Sequence, residues 1–151
     1  RRAEKGEETG ISFPRPMITS HNYNFSFSGL KSAVRRYIES IPKEKINPAH
    51  VAYEFQEAVT EELIAKTKKA LEEYDLKKLI IAGGVSANRR IRNAFEELLS
   101  TEFPDSTLHV PDMTVTGDNA LMIGVAGYLS TLRSPLPEQQ PALRADGNLS
   151  L

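Results

Sequence analysis

The run from Lys77 to Leu99 restricts the fold more than any other part of the chain. Leu79, Ile80, Ile81 and Ala82 are continuously apolar, Gly83 and Gly84 follow, and Ala87, Ile91, Ala94, Phe95 and Leu98 then recur at helical spacing. A short apolar run suits a strand buried on both faces. The switch to a period near 3.6 predicts a helix over residues 86–100, launched directly from the glycine pair. Strand, tight turn and helix in immediate succession place the chain in the α/β class.

The flanking sequence supplies further elements. Tyr23, Phe25 and Phe27 alternate with Asn24, Ser26 and Ser28, which predicts a half-buried strand over residues 23–28 with an aromatic face. Ser28 is then placed to cap a helix whose apolar positions are Leu30, Ala33, Val34, Tyr37, Ile38 and Ile41, with Pro42 as its stop. Asn47 followed by Pro48 is an N-cap and first-turn signal for a long helix marked by Ala52, Phe55, Val59 and Leu63 and running to about Tyr74. Its far side, with Lys66, Lys68, Lys69, Glu72 and Glu73, is expected to be solvated. Residues 107–110 form a second candidate strand, and the apolar stretch from Asp118 to about Leu132 is expected as a core helix buried on most sides. Residues 1–20 are expected to run extended over another element, and the tail beyond Pro135 to be surface loop.

Composition narrows the function classes. A chain of 151 residues, 40% apolar and 26% charged, fits one globular domain able to bury its own core. A formal net charge of −1 gives no general attraction for nucleic acid, so any such contact needs a local basic patch. There is no cysteine, which excludes a disulfide framework, a thiolate metal site and a cysteine nucleophile. No apolar run reaches the roughly 18 residues that span a bilayer, and the acidic start does not read as a targeting peptide, so the expected address is the cytoplasm.

Three stretches can carry chemistry. In Gly83-Gly84-Val85-Ser86-Ala87-Asn88-Arg89-Arg90-Ile91-Arg92, the glycines let a ligand approach the backbone and the first helical turn attracts anions. The Asn88 amide can read a base edge or a ribose hydroxyl, or it is simply a helix-start residue. Arg89, Arg90 and Arg92 are either phosphate contacts or a solvated face. The spacing is neither that of a P-loop nor that of a dinucleotide fingerprint. In Thr116-Gly117-Asp118-Asn119, the Asp118 carboxylate either caps the following helix or binds a metal with ligands from elsewhere. His21, His50 and His109 are scattered and form no ligand pair. In Asn24–Lys31, core packing and a cap account for most residues, with Lys31 alone free to reach outward. No serine-based catalytic triad is signalled.

Taken in order, Phe13-Pro14-Arg15-Pro16, Phe25-Ser26-Phe27-Ser28-Gly29-Leu30-Lys31, the Gly83–Arg92 block and Asp118-Asn119-Ala120-Leu121-Met122-Ile123 resemble the tRNA N6-adenosine threonylcarbamoyltransferases, a family that has also carried the label O-sialoglycoprotein endopeptidase or glycoprotease. The resemblance covers the C-terminal half of that family. It implies an α/β, helix-rich C-terminal lobe of an actin-like ATPase fold with short strands, residues 1–151 forming a single domain of a two-lobed enzyme whose N-terminal lobe is absent.

The resemblance further implies transfer of a threonylcarbamoyl group from threonylcarbamoyl-AMP to N6 of the adenosine next to the tRNA anticodon. Gly83, Gly84 and Asn88 would contact the nucleotide, and Asp118 would be one ligand of a divalent metal of iron or zinc type, joined by two histidines of the first lobe. Implied partners are tRNA, a paralogous actin-like protein and a small ATPase of the bacterial modification complex, with no membrane. One departure is Thr116-Gly117, where the family has Cys-Thr before Asp-Asn. No catalytic residue is assignable within the chain, which is expected to be inactive alone. The competing reading is a catalytically silent actin-like paralogue serving as a binding or assembly module. Retention of both Asn88 and Asp118 favours the enzyme.

Overall fold

The computed structural model describes residues 2–8, 10–117 and 119–133. Two compact units divide the chain, residues 1–116 and residues 117–151. The first contains helices α1 (Phe27–Ser40), α2 (Pro48–Tyr74) and α3 (Arg89–Glu102) and strands β1 (Lys78–Ile80) and β2 (Thr107–His109); the second contains helix α4 (Ala120–Arg133). The composition is helix-rich with a small sheet, as an α/β reading requires.

Helix α2 forms as its local signals dictate. The Asn47 side chain accepts from the Ala49 N–H at 3.0 Å, and Pro48 stands at the first helical position, where no N–H is missed. The helix ends at Asp75, which turns left-handed with φ +47° and donates its N–H to the Leu71 carbonyl. Strands β1 and β2 pair in parallel, with Lys78 opposite Thr107, Leu79 opposite Leu108 and Ile80 opposite His109, and α3 is the connection between them. Leu71, Ile91, Phe95, Leu98 and Leu99 make one core between α2 and α3, against which Leu79 and Leu108 of the sheet pack. Phe13, Leu30, Val51 and Ala58 make a second, tying the leading segment and α1 to α2.

Five expectations are corrected. The strand over residues 23–28 does not form. The carbonyls of Ser20 and Asn22 accept from Lys66 Nζ at 2.9 and 2.7 Å, Ser20 Oγ accepts a third bond at 2.7 Å, and Asn22 Oδ1 takes the Asn24 N–H. With Ser20 and Asn22 anchored on α2 and the Asn24 N–H turned back onto Asn22, the chain enters α1 without pairing as a strand, and the helix starts at Phe27, before the Ser28 expected to cap it. The same bonds explain why the basic side of α2 is not all solvated. Lys66 is 3% exposed with its three ammonium donors all placed. Lys68 pairs with Glu102, while Lys69 donates to the His21 carbonyl and lies 5.1 Å from the Tyr23 ring centre. Strand β1 is not buried on both faces, since Ile80 is 73% exposed in a sheet that has two strands among the described residues. Helix α4 forms as expected but has no buried residue among those described, because its unit contains no second described element to pack against.

The side of α2 facing the leading segment also holds Glu62, only 1% exposed, with both carboxylate oxygens enclosed and without a hydrogen-bond partner. Burial pushes its carboxyl above the ordinary value, against the opposing pull of Arg15 and Lys66. A carboxyl raised in the folded state penalises folding once pH passes its unfolded value, and the penalty grows until pH passes the folded one. Glu62→Gln is therefore expected to stabilise the protein relative to wild type at pH 8 and to leave that difference near zero at acidic pH. Urea midpoints at the two pH values check this; a variant less stable at pH 8 would show that the carboxylate is used.

Candidate functional site

The site is built where β1 gives way to α3. Beyond the strand, Gly83 takes φ +85° and ψ 171°, a conformation that costs a residue with a Cβ dearly. A 3-10 turn over Gly84–Ala87 follows, and α3 begins at Arg89 with Asn88 as its cap. The helix is thus not launched directly from the glycines; one tight turn intervenes and moves its start from residue 86 to Arg89. At Gly84 a Cβ would meet open space and φ is unexceptional, so nothing among the described residues requires glycine there.

Asn88 is fixed at both ends of its amide. Oδ1 accepts from the Ile91 N–H at 3.2 Å, and Nδ2 donates to Gln56 Oε1 at 3.0 Å. An amide side chain has two N–H donors and two acceptor lone pairs, so one of each remains for a ligand. Gln56 and Asn88 line two cavities. One, of about 730 Å³, is walled by apolar side chains including Phe27, Phe55, Leu63 and Ile81. The other, of about 330 Å³, is more polar and is bordered by Glu4, Arg89 and Arg90. Ser86, 1% exposed, borders the larger cavity, and its Oγ has no hydrogen-bond partner.

The arginine cluster separates into distinct roles. Arg90 makes a forked pair with Glu57 of α2, with Nε and Nη2 at 2.8 and 2.7 Å from the two carboxylate oxygens, and this pair raises the guanidinium pKa. Arg92 donates to the Ser86 carbonyl and, at 2.8 Å, to the Pro111 carbonyl, bracing the glycine turn against the segment after β2. Asp112 in that segment accepts from the Thr114 N–H and hydroxyl, which hold its carboxyl below the usual range. Arg89 is exposed and makes no ion pair among the described residues, so it is the arginine of the three left for an anion.

Asp118 lies outside the described residues. The cap of α4 is the neighbouring Asn119, whose Oδ1 accepts from the Met122 N–H at 2.8 Å. Among the described residues no three His, Asp or Glu side chains converge on a point that a metal ion could occupy, so they do not fit a metal by themselves. Phe25 and Phe27 stack on each other at 5.6 Å and stay exposed, rather than lining a core as expected. Lys31 is exposed, as anticipated. Sequence reasoning missed Gln56 and Glu57; the available signal was their place beside Phe55 and Val59, which turns two polar side chains toward the start of α3.

Residues 1–125 match the family model described as tRNA N6-adenosine threonylcarbamoyltransferase. Curated relatives carrying that name include one from Lacticaseibacillus casei (strain BL23), 41% identical over 152 residues, an alignment covering 99% of this chain and 44% of the relative. One from Enterococcus faecalis is 42% identical over 84% of this chain and 37% of its own length. One from Limosilactobacillus fermentum is 39% identical over 98% of this chain and 41% of its own length. The chain spans less than half the length of each of these relatives.

Proposed function

The chain belongs to the tRNA N6-adenosine threonylcarbamoyltransferase family, and from that premise we propose that it supplies the nucleotide-binding C-terminal lobe, actin-like in fold, of an enzyme that modifies tRNA. The reaction moves a threonylcarbamoyl group from threonylcarbamoyl-AMP to N6 of the adenosine beside the anticodon. The observation that carries the reading is the Asn88 amide, with one donor and one acceptor position left beyond its bonds to Gln56 and Ile91, at the end of the glycine turn. Backbone at Gly83 and Gly84 admits the nucleotide closely, the free N–H and lone pair of Asn88 hold one polar edge of it, and Arg89, on the rim of the polar cavity that Glu4 also borders, is the cation offered to an anionic group.

A divalent metal of iron or zinc type would polarise the carbamoyl group when bound. Asp118 is the residue of this chain offered to it, and the described residues supply no set of three ligands, so the remaining ligands would come from a first lobe. The partners would be tRNA, an actin-like paralogue and a small ATPase, in the cytoplasm. No helix among the described residues is long and apolar enough to cross a membrane.

The test is a transfer assay with threonylcarbamoyl-AMP and tRNA. A polypeptide completing this chain to the length of its relatives is expected to transfer, and the chain alone is not. Nucleotide binding without transfer by the completed polypeptide would favour the silent paralogue, and transfer by the chain alone would show that the chemistry lies within it.

A further inference from the structure

We propose that Gln56 of α2 is a positioning residue for Asn88, setting the direction of the amide edge that the nucleotide meets; this rests on the reading of Asn88 as a nucleotide contact. The cap bond to Ile91 N–H fixes Oδ1 but leaves the side chain one rotational freedom, and the Gln56 bond to Nδ2 removes it. Gln56 is itself held. Its backbone carbonyl accepts from Thr60 Oγ1 at 2.8 Å within α2, and the next residue, Glu57, grips Arg90 through three contacts between 2.7 and 3.1 Å. Two consecutive residues of α2 therefore clamp the first turn of α3, Glu57 through its forked ion pair with Arg90 and Gln56 through the Asn88 amide. A site built this way presents its donor and acceptor already oriented, which avoids the ordering cost on binding.

Gln56 acts as an acceptor through Oε1, so a carboxylate at that position serves as well, whereas a thioether of similar length does not. The inference is tested with Gln56→Glu and Gln56→Met, alone and combined with Asn88→Ser, in the polypeptide completed to family length, with AMP as the probe. Gln56→Met is expected to weaken AMP binding about 3- to 10-fold, Gln56→Glu to restore it, and the double variant Gln56→Met with Asn88→Ser to be no worse than Asn88→Ser alone. In the chain itself the Asn88 side-chain NH₂ resonances should lose their protection from exchange in Gln56→Met and keep it in Gln56→Glu, with thermal melting little changed.

A loss with Asn88→Ser but none with Gln56→Met overturns the inference and leaves the site intact. Additive losses in the double variant overturn it too, because Gln56 would then act on the nucleotide by itself. Unchanged affinity in Asn88→Ser overturns both the inference and the reading of the site, while preserved coupling in the NH₂ resonances would show that the clamp is structural only.

Discussion

Replacing Leu30 with alanine is expected to lower the unfolding free energy by about 2–5 kcal/mol, the range for truncating a fully enclosed aliphatic side chain. Leu30 has no exposed surface and sits among Phe13, Val51 and Ala58, so one side chain joins the leading segment, α1 and α2. Phe13 meets the Tyr37 ring edge-on at 5.6 Å on the same side of α1, which leaves little freedom for neighbours to close over a void. For a unit of this size the loss corresponds to a melting temperature lower by roughly 8 °C or more. Ile38, on the same helix and 42% exposed, provides the contrast, with Ile38→Ala expected within about 0.5 kcal/mol of wild type. Equal effects of the two substitutions in thermal melts would mean that α1 is not held through Leu30.

The second large effect concerns Asn88, and the structure changes how it has to be measured. Because Asn88 caps α3, Asn88→Ala removes a cap worth about 0.5–2 kcal/mol of stability together with any ligand contact, mixing two effects. Asn88→Ser keeps an acceptor for the Ile91 N–H and discards the amide edge. In the completed enzyme, loss of that edge is expected to reduce transfer roughly tenfold to a hundredfold, the consequence of removing one hydrogen-bonding group from a partly desolvated ligand. The melting temperature of Asn88→Ser should stay near wild type while that of Asn88→Ala falls. Wild-type kcat/KM in Asn88→Ser would remove Asn88 from the nucleotide site, and equal melting of the two variants would remove it from the cap. Asp118→Ala is expected to cost more transfer than either, since it deletes a charge rather than one hydrogen bond.

What the sequence determined by itself was whatever is coded within a few residues. Asn47-Pro48 starts α2 because a side-chain acceptor and a missing N–H act on their own turn, and the helix runs to Tyr74 because its apolar spacing repeats locally. The apolar run before Gly83-Gly84 and the periodic run after it gave a strand, a glycine-dependent turn and a helix in the order expected. Asn88 was legible as a site candidate for the same reason, since a cap and a glycine turn are local features. What only the tertiary structure decided depends on partners far apart in the chain. The course of the segment before α1 is set by α2, more than forty residues further along the sequence, where the three donors of Lys66 take the polar groups of Ser20 and Asn22 and where Lys69 and Tyr74 meet the Tyr23 ring. The fate of the arginine cluster is settled by Glu57 and by the Pro111 carbonyl, and the orientation of Asn88 by Gln56. Periodicity tells which side of a helix is apolar, but the burial of a polar side chain depends on whether distant groups complete its hydrogen bonds, and only the packed chain brings those groups within reach.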